Sequence, residues 1–436
     1  MRVARRILTL LPCLSLSALL AGCPRATSGT PSSADTDRTK SVACQSASDC
    51  TGELPTTCHK CASGKKACAH WSCASNACKV AYCGSSGGSS SGTSSSGGSS
   101  GGMAIGPQGG TLANLTFGLI GDTRPPSSDD VAGYPTAVVA GAFSNMAHMS
   151  PAPAFAVASG DFMFSDDSSN PSASTATQQA GLYLSAVWDA GFSNQLFLAL
   201  GNHECNTATT SNCGTGNADG VTPNYSAFLS MLSQVGLGSD NPSPYYTFDI
   251  SSTADVSPAW TAKFVVIACN AWDDTQQSWL QSALATSTTY TFIVRHETVE
   301  EDQEPGVPAS PCGMASSAMI APYANQGQVT LLLTGHTHYY KINDQPTDVV
   351  TGGAPGVTLN VPEIVAGNGG AQLRSDATDY GADGYGFVVC QQTPDANAGA
   401  APDIACQEYD ATTGVPSSAK GGFIQVSATG ALISGG

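Results

Sequence analysis

The stretch FGLIGDTRPP, residues 117–126, is an apolar run that stops at an aspartate. It decides the fold because its shape recurs along the chain. LTFGLIGD (115–122), AFAVASGD (154–161), QLFLALGNHE (195–204), AKFVVIACN (262–270), TYTFIVRHE (289–297) and QVTLLLTGH (328–336) are short apolar runs of the kind buried on both faces of a sheet. Between them lie helix-like segments, VAGYPTAVVAGAFSNMAHM, QQAGLYLSAVWDAGF, DTQQSWLQSALA and MASSAMIAPYANQ. Strands alternating with helices imply an α/β domain whose sheets are covered by helices. The tail, with PEIVAGNGGA, GYGFVVC and GGFIQVSATGALISG, has β runs separated by turns and suggests a second, more antiparallel portion.

The 436 residues are enough for two or three domains. Only 11% of them are charged, and 33 acids against 16 bases leave a net charge of −17. Solubility therefore rests on Ser, Thr, Asn and Gly, and the negative surface repels polyanions, so no nucleic acid partner is expected.

Residues 1–23, MRVARRILTLLPCLSLSALLAGC, join three arginines to an apolar run too short for a membrane span, then small residues and a cysteine. That is an export signal. Its end, Leu20-Ala21-Gly22-Cys23, resembles a bacterial lipobox, which implies lipidation of Cys23 and a membrane anchor at the cell envelope. An ordinary cleaved signal or an uncleaved anchor are the rival readings. Residues 24–43 have the composition of a disordered tether. Eight cysteines crowd into residues 44–83, a segment too short to bury much apolar surface, so cross-links must stabilise it. Cys58-His59-Lys60-Cys61 invites a zinc reading, but structural disulfides are favoured in an exported chain. Residues 84–102 are a Gly/Ser linker with a root-mean-square span of roughly 25 Å. Residues 103–436 form the main domain. By proximity its six cysteines pair as Cys205 with Cys213 and Cys390 with Cys406, leaving Cys269 for Cys312.

Five of the apolar runs end in groups able to bind metals or act on phosphate: Asp122, Asp161, Asn202 with His203, His296, and His336 with His338. Ligands gather past the carboxyl ends of strands in open α/β sheets, so these groups are expected to converge. Of the five histidines beyond the linker, four sit at such strand ends. The fifth, His148, lies in a helical run and is read as packed or exposed. A lone Gly-Asp after a strand is usually a turn. The ordered set Asp, Gly-Asp, Gly-Asn-His-Glu, His, Gly-His-x-His is far more specific.

On those blocks the chain resembles the calcineurin-like metallophosphoesterases, the superfamily that includes purple acid phosphatases. The resemblance spans residues 117–338, with EIVAGNGGA beyond it similar to the strand and glycine turn that follow in relatives. It implies a β-sandwich flanked by helices, here preceded by the small disulfide-rich module and the flexible linker. It also implies two cations, of iron, zinc or manganese, bridged by Asp161. Asn202, His296 and His336 would complete one, and Asp122 and His338 would hold the other. Such a pair generates a bridging hydroxide that attacks a phosphate monoester or diester. His203 would neutralise phosphoryl charge or protonate the leaving alkoxide, and Glu204 would orient backbone or imidazole.

Two positions depart from the family pattern. Arg124 stands where most members carry a histidine ligand. Purple acid phosphatases also lack that histidine but supply a tyrosine ligand instead, at the position held here by Phe164, so the first site has fewer protein ligands than either pattern. A guanidinium cannot coordinate a cation, so Arg124 is read either as a clamp on substrate phosphate beside a weak first metal site, or as turned outward toward Asp129 or Asp130. Segments 205–244 and 297–313 are expected to form the rim. The reading of another class is a catalytically silent relative that serves as an envelope binding or display module. The presence of His203 and the three later histidines favours the enzyme.

Overall fold

The computed structural model describes four short strands between residues 58 and 81. It also describes residues 105–435, apart from 167–174, 239–241, 301–308, 349–355, 375–383, 394–400 and 419–420. Cys23, the tether and the Gly/Ser linker lie outside the described residues. The chain divides into two compact units, Met1–Ser91 and Gly92–Gly436. In the first, β1 (Cys58–Lys60) pairs antiparallel with β2 (Lys66–Cys68), and β3 (His70–Ala74) with β4 (Ala77–Ala81). Hairpins this short are marginal alone in water. The bonding of their cysteines lies outside what is described.

The second unit contains β5 (Gly109–Leu112), β6 (Thr116–Ile120), β7 (Phe155–Ala158), β8 (Gln195–Leu198), β9 (Tyr246–Ser252), β10 (Thr261–Val266), β11 (Tyr290–Val294) and β12 (Leu331–Thr334). It continues with β13 (Tyr340–Asn343), β14 (Thr347–Asp348), β15 (Val357–Thr358), β16 (Glu363–Ala366), β17 (Gly386–Gln392), β18 (Ile404–Asp410), β19 (Phe423–Val426) and β20 (Leu432–Gly435). Its helices are α1 (Thr136–His148), α2 (Thr175–Asp189), α3 (Pro223–Gln234), α4 (Asp274–Leu284) and α5 (Gly313–Ala324). Two seven-stranded sheets result, ordered β20-β19-β18-β17-β6-β7-β8 and β13-β16-β12-β11-β10-β9-β5. The strand trio β6-β7-β8 is parallel, as is the run β10-β11-β12-β16.

The two sheets stack face to face through phenylalanines. Phe117 of β6 meets Phe264 of β10 and Phe292 of β11 edge-on at 5.1 and 5.2 Å between ring centres, and Phe155 of β7 meets Phe248 and Phe264 likewise. Side chains alternate across a strand, so the neighbours of those rings must face the other way. They do: Val265, Ile293 and Leu332 pack with Leu280 and Leu284 of α4 and Ile320 of α5. On the other sheet Phe143 of α1 contacts Tyr183 of α2, and Phe162 contacts Tyr183 and Phe228 of α3. Both faces of the central strands are thus covered, which is why they read as unbroken apolar runs. The architecture is mixed α/β, two large sheets flanked by helices.

The tail is not a separate portion. β16 pairs parallel with β12, and β17 pairs antiparallel with β6, so the last quarter of the chain completes both sheets. Strands β9 and β18 and helix α3 went unread, because polar residues interrupt their apolar ones: at the surface in β9, and at the buried Glu408 of β18 and Asn224 of α3. Helix α3 nonetheless carries an orthodox start, with Pro223 in its first turn and the Thr222 hydroxyl accepting from the Tyr225 N–H at 3.1 Å. Three disulfides close as proximity suggested: Cys205–Cys213, Cys269–Cys312 and Cys390–Cys406. Such bonds persist in oxidising compartments. No described helix is long and apolar enough to cross a membrane.

Replacing Phe117, which is wholly buried between the sheets, by alanine should cost about 3–5 kcal/mol of stability, read from urea unfolding followed by tryptophan fluorescence.

Candidate metal centre

Parallel strands deliver their carboxyl ends to one rim, and the candidate residues sit there. Asp122 follows β6, Asp161 follows β7, Asn202 and His203 follow β8, His296 follows β11, and His336 and His338 follow β12. Asp122, Asp161 and His296 bring oxygen and nitrogen atoms within 4.8 Å of one another, and all three are buried. The two sheets are tied at this edge, for the His336 N–H, after β12, donates to Asp122 Oδ2, after β6, at 2.7 Å, and His296 Nδ1–H, after β11, donates to the Ser159 carbonyl, after β7, at 2.9 Å.

Four donor atoms meet around His296 Nε2. Asp161 Oδ1, Asn202 Oδ1 and His336 Nδ1 each lie 3.2 Å from it. Atoms bound tetrahedrally to one ion at about 2.1 Å are about 3.4 Å apart, so each of the three stands from His296 Nε2 at the separation of neighbouring ligands. Each group is held from behind. His296 Nδ1–H donates to the Ser159 carbonyl at 2.9 Å, which turns its Nε2 inward, and the Asn202 amide donates to the Thr207 carbonyl at 2.7 Å, which turns its Oδ1 inward. Burial works against a charged His296, yet Asp161 and Asp122 beside it hold it well above the ordinary imidazole range. Burial also lowers His336 well below that range, with His296 adding to the effect. The cluster therefore gathers one positive charge at the atom where the donors meet.

The second half of the site is built differently. His338 Nδ1–H donates to the Gln372 carbonyl at 3.0 Å, leaving the Nε2 lone pair inward, 3.5 Å from Asp122 Oδ1. Arg124 Nη2 donates to that same Nε2 at 3.2 Å, Arg124 Nε pairs with Asp161 Oδ2 at 3.3 Å, and Nη1 donates to the Pro125 carbonyl at 3.2 Å. Burial first, and the guanidinium next, push His338 down to about 4, so the imidazole is neutral. Arg124 does not turn outward. Asp129 is engaged with Ser165 and the Asp166 N–H, and Asp130 with the Gly133 N–H. The outward reading of Arg124 is corrected, because a buried carboxylate attracts it more strongly than solvent-screened loop acids.

Phe164 is the residue whose role the sequence did not disclose. Its ring carries the Arg124 guanidinium 4.6 Å from its centre, and its edge meets His203 with 4.5 Å between ring centres. His203 places Nε2 3.7 Å from Asp161 Oδ2, while its Nδ1 is buried with no hydrogen-bond partner among the described residues. Burial chiefly, against the pull of Asp161, lowers His203 to about 3. Glu204 gathers the backbone instead of an imidazole. Its carboxylate accepts from the N–H groups of Gly201, Asp161, Phe162 and Met163 at 2.7–3.2 Å, binding the turn after β7 to the turn after β8.

Four of the converging residues have left-handed backbone: Asp122 at φ 56°, Asp161 at 59°, His336 at 73° and His338 at 52°. Non-glycine residues seldom adopt it, at a cost of order 1–3 kcal/mol each, and such outliers cluster at functional sites. Glycine is demanded beside them. A side chain on Gly160, itself at φ 109°, would sit 2.8 Å from His296 Nδ1, and one on Gly335 would meet Asp122 Oδ2 and Ser159 Oγ. His148 is exposed, as expected, and donates to the Ser144 carbonyl. One expectation is corrected: Glu297, assigned to the rim, is wholly buried next to His296.

No family model matches the chain, and no curated protein matches it in sequence. Among solved structures it is similar to GAP50, the anchor in the inner membrane complex of Plasmodium, at TM-score 0.42 and 13% identity over 70% of this chain and 87% of that one. It is similar to purple acid phosphatase PPD1 from yellow lupin (Lupinus luteus) seeds at 0.45 and 14%, over 70% of this chain. It is also similar to a putative 5'-nucleotidase from Staphylococcus aureus at 0.35 and 13%, over 66%. The match spans about half the length of the lupin and staphylococcal chains. Scores and identities this low leave the chemistry to the side chains of the chain itself.

Changing Glu204 to Gln puts an amide N–H₂ against buried backbone donors, and is expected to cost about 1–3 kcal/mol in urea unfolding while Glu300→Gln, at a partly exposed pair, changes little.

Proposed function

We propose that this chain is a metal-dependent phosphoesterase of the calcineurin-like metallophosphoesterase kind, hydrolysing phosphate monoesters or diesters. The observation that carries the reading is the gathering of Asp161, Asn202 and His336 at 3.2 Å from His296 Nε2, with Asp122 in the same buried cluster as Asp161 and His296. Oxygen and imidazole donors of this kind suit iron, zinc or manganese. Asp161, Asn202, His296 and His336 would hold the ion, with Asp122 and His338 alongside. A bound ion would supply Lewis acidity toward the phosphoryl group and activate water.

The chain's own groups do the rest. Arg124 has one N–H on each Nη beyond those engaged by Pro125 and His338, and a guanidinium can present such a pair to phosphate as a fork. His203 is neutral in the resting protein, so it serves first as a hydrogen-bond donor to a phosphoryl oxygen. An arriving phosphate raises its proton affinity, so that His203 takes up a proton from solvent or from the substrate's own P–OH and passes it to the departing alkoxide as the water oxygen bonds to phosphorus, the ester P–O bond breaks and the attacking water's proton is released to solvent. The acidic surface fits small esters better than nucleic acid. We further propose export and lipid attachment at Cys23, which would set this activity at a membrane face of the cell envelope.

The test is turnover of p-nitrophenyl phosphate and bis-p-nitrophenyl phosphate by protein loaded with Mn, Zn or Fe. Hydrolysis should appear with metal, vanish on chelation and in His296→Ala, and fall roughly 10²–10⁴-fold in kcat in His203→Ala. Metal bound at the centre without any turnover across monoesters, diesters, nucleotides and phospholipids would instead favour the silent display module.

A further inference from the structure

The resemblance implies two ions, but the space for one of them is already filled by a cation. We infer that Arg124 is that cation: its guanidinium replaces the first metal ion, and the centre takes a single metal, held by Asp161, Asn202, His296 and His336. The inference rests on the metal-centre reading and goes beyond it by fixing the stoichiometry and the nature of the second positive charge.

Three observations carry it. The contacts of Arg124 are made with groups that the first ion would need, namely Asp161 Oδ2 at 3.3 Å and His338 Nε2 at 3.2 Å. An imidazole lone pair engaged by an N–H cannot at the same time bind a metal. His338 is locked into that role from its far side, since its Nδ1–H is committed to the Gln372 carbonyl. Second, the two departures from the family pattern touch each other. Phe164, lacking the hydroxyl that would ligate an ion, offers a ring face 4.6 Å from the guanidinium carbon, a contact that favours a cation and is useless to a metal. A residue change that removes a ligand and another that cradles its substitute form one device. Third, Arg124 is about one-tenth exposed and engaged through all three of its nitrogens, so it is a seated component and not a surface arm in transit.

The chemical consequence concerns substrate. A guanidinium is a permanent single charge that cannot polarise water as a second divalent ion does, but it reads two phosphoryl oxygens at a fixed angle. Beside one divalent ion it offsets the two carboxylates and leaves a modest positive surplus for an incoming phosphate ester.

Stoichiometry decides the matter, with Mn(II) as the probe because it prefers oxygen and imidazole donors and has little affinity for any reduced cysteine elsewhere in the chain. The purified full chain is loaded, desalted, and read by elemental analysis and by electron paramagnetic resonance. The wild type should hold one Mn(II) with the six-line spectrum of an isolated ion. The variant Arg124→His/Phe164→Tyr, which restores both absent ligands, should hold two and show exchange coupling. His336→Ala should lose the ion, whereas His338→Ala should keep it with unchanged stoichiometry, a contrast that needs no folded double variant. Two coupled ions in the wild type would overturn the inference and leave the hydrolase reading standing. Loss of the single ion in His338→Ala, or one ion in a folded double variant, would also overturn it. No ion in the wild type sinks the metal centre itself, and this inference with it.

Discussion

Two buried carboxylates that approach one another must be neutralised, and the second unit is arranged around that requirement. Asp122 and Asp161 are both out of water, with oxygens in a cluster 4.8 Å across. Like charges at that separation repel by about 3–4 kcal/mol even at an effective dielectric near 20, before the cost of burial is added. The chain meets this in two ways. Burial, chiefly, pushes Asp122 up to about 8, while His296, His203 and Arg124 hold Asp161 well below the usual carboxylate range against the same burial. One carboxylate is thus spared its charge, and the other is surrounded by nitrogen.

The sandwich makes such an arrangement affordable. Rigid strands packed on both faces hold their carboxyl ends in place, and the aromatic layer of Phe117, Phe155, Phe264 and Phe292 ties one sheet to the other. Strained backbone at Asp122, Asp161, His336 and His338 persists because neighbouring atoms over-determine it: Glu204 fastens the turn after Asp161, and the Asp122 Oδ2 carboxylate accepts the His336 N–H at 2.7 Å. Packing energy spent at the core is stored at the rim as positioned donors.

Arg124 and Phe164 show how substitution in such a site is constrained. The guanidinium at 124 occupies the position of one of the two alternative ligands, and the Phe164 ring, at the position of the other, carries that guanidinium on its face. Together they close the first half of the site with a cation that cannot be chelated away. Burial chiefly, and the same guanidinium next, keep His338 neutral.

Much of this was legible in the order of residues. The six apolar runs predicted β6, β7, β8, β10, β11 and β12, because strands buried on both faces have no polar positions to blur them. Four helices and the three disulfides of this unit were placed correctly for similar local reasons. Strands β9 and β18 were not, since polar residues interrupt their apolar ones, in β18 the buried Glu408; the antiparallel character of the tail was legible, but not that its strands join the same two sheets, because strand order is a property of pairing between distant segments. The site residues could be named from their strand-end positions. The direction of Arg124, the platform under it at Phe164 and the burial of Glu297 could not, for a side chain's partner is chosen by the surrounding charge and packing. What the sequence by itself determined was which groups arrive at the rim; what only the tertiary structure decided was which of them face one another, because burial strengthens the pull between a carboxylate and the nearest cation, and nearness exists only after the sheets have packed.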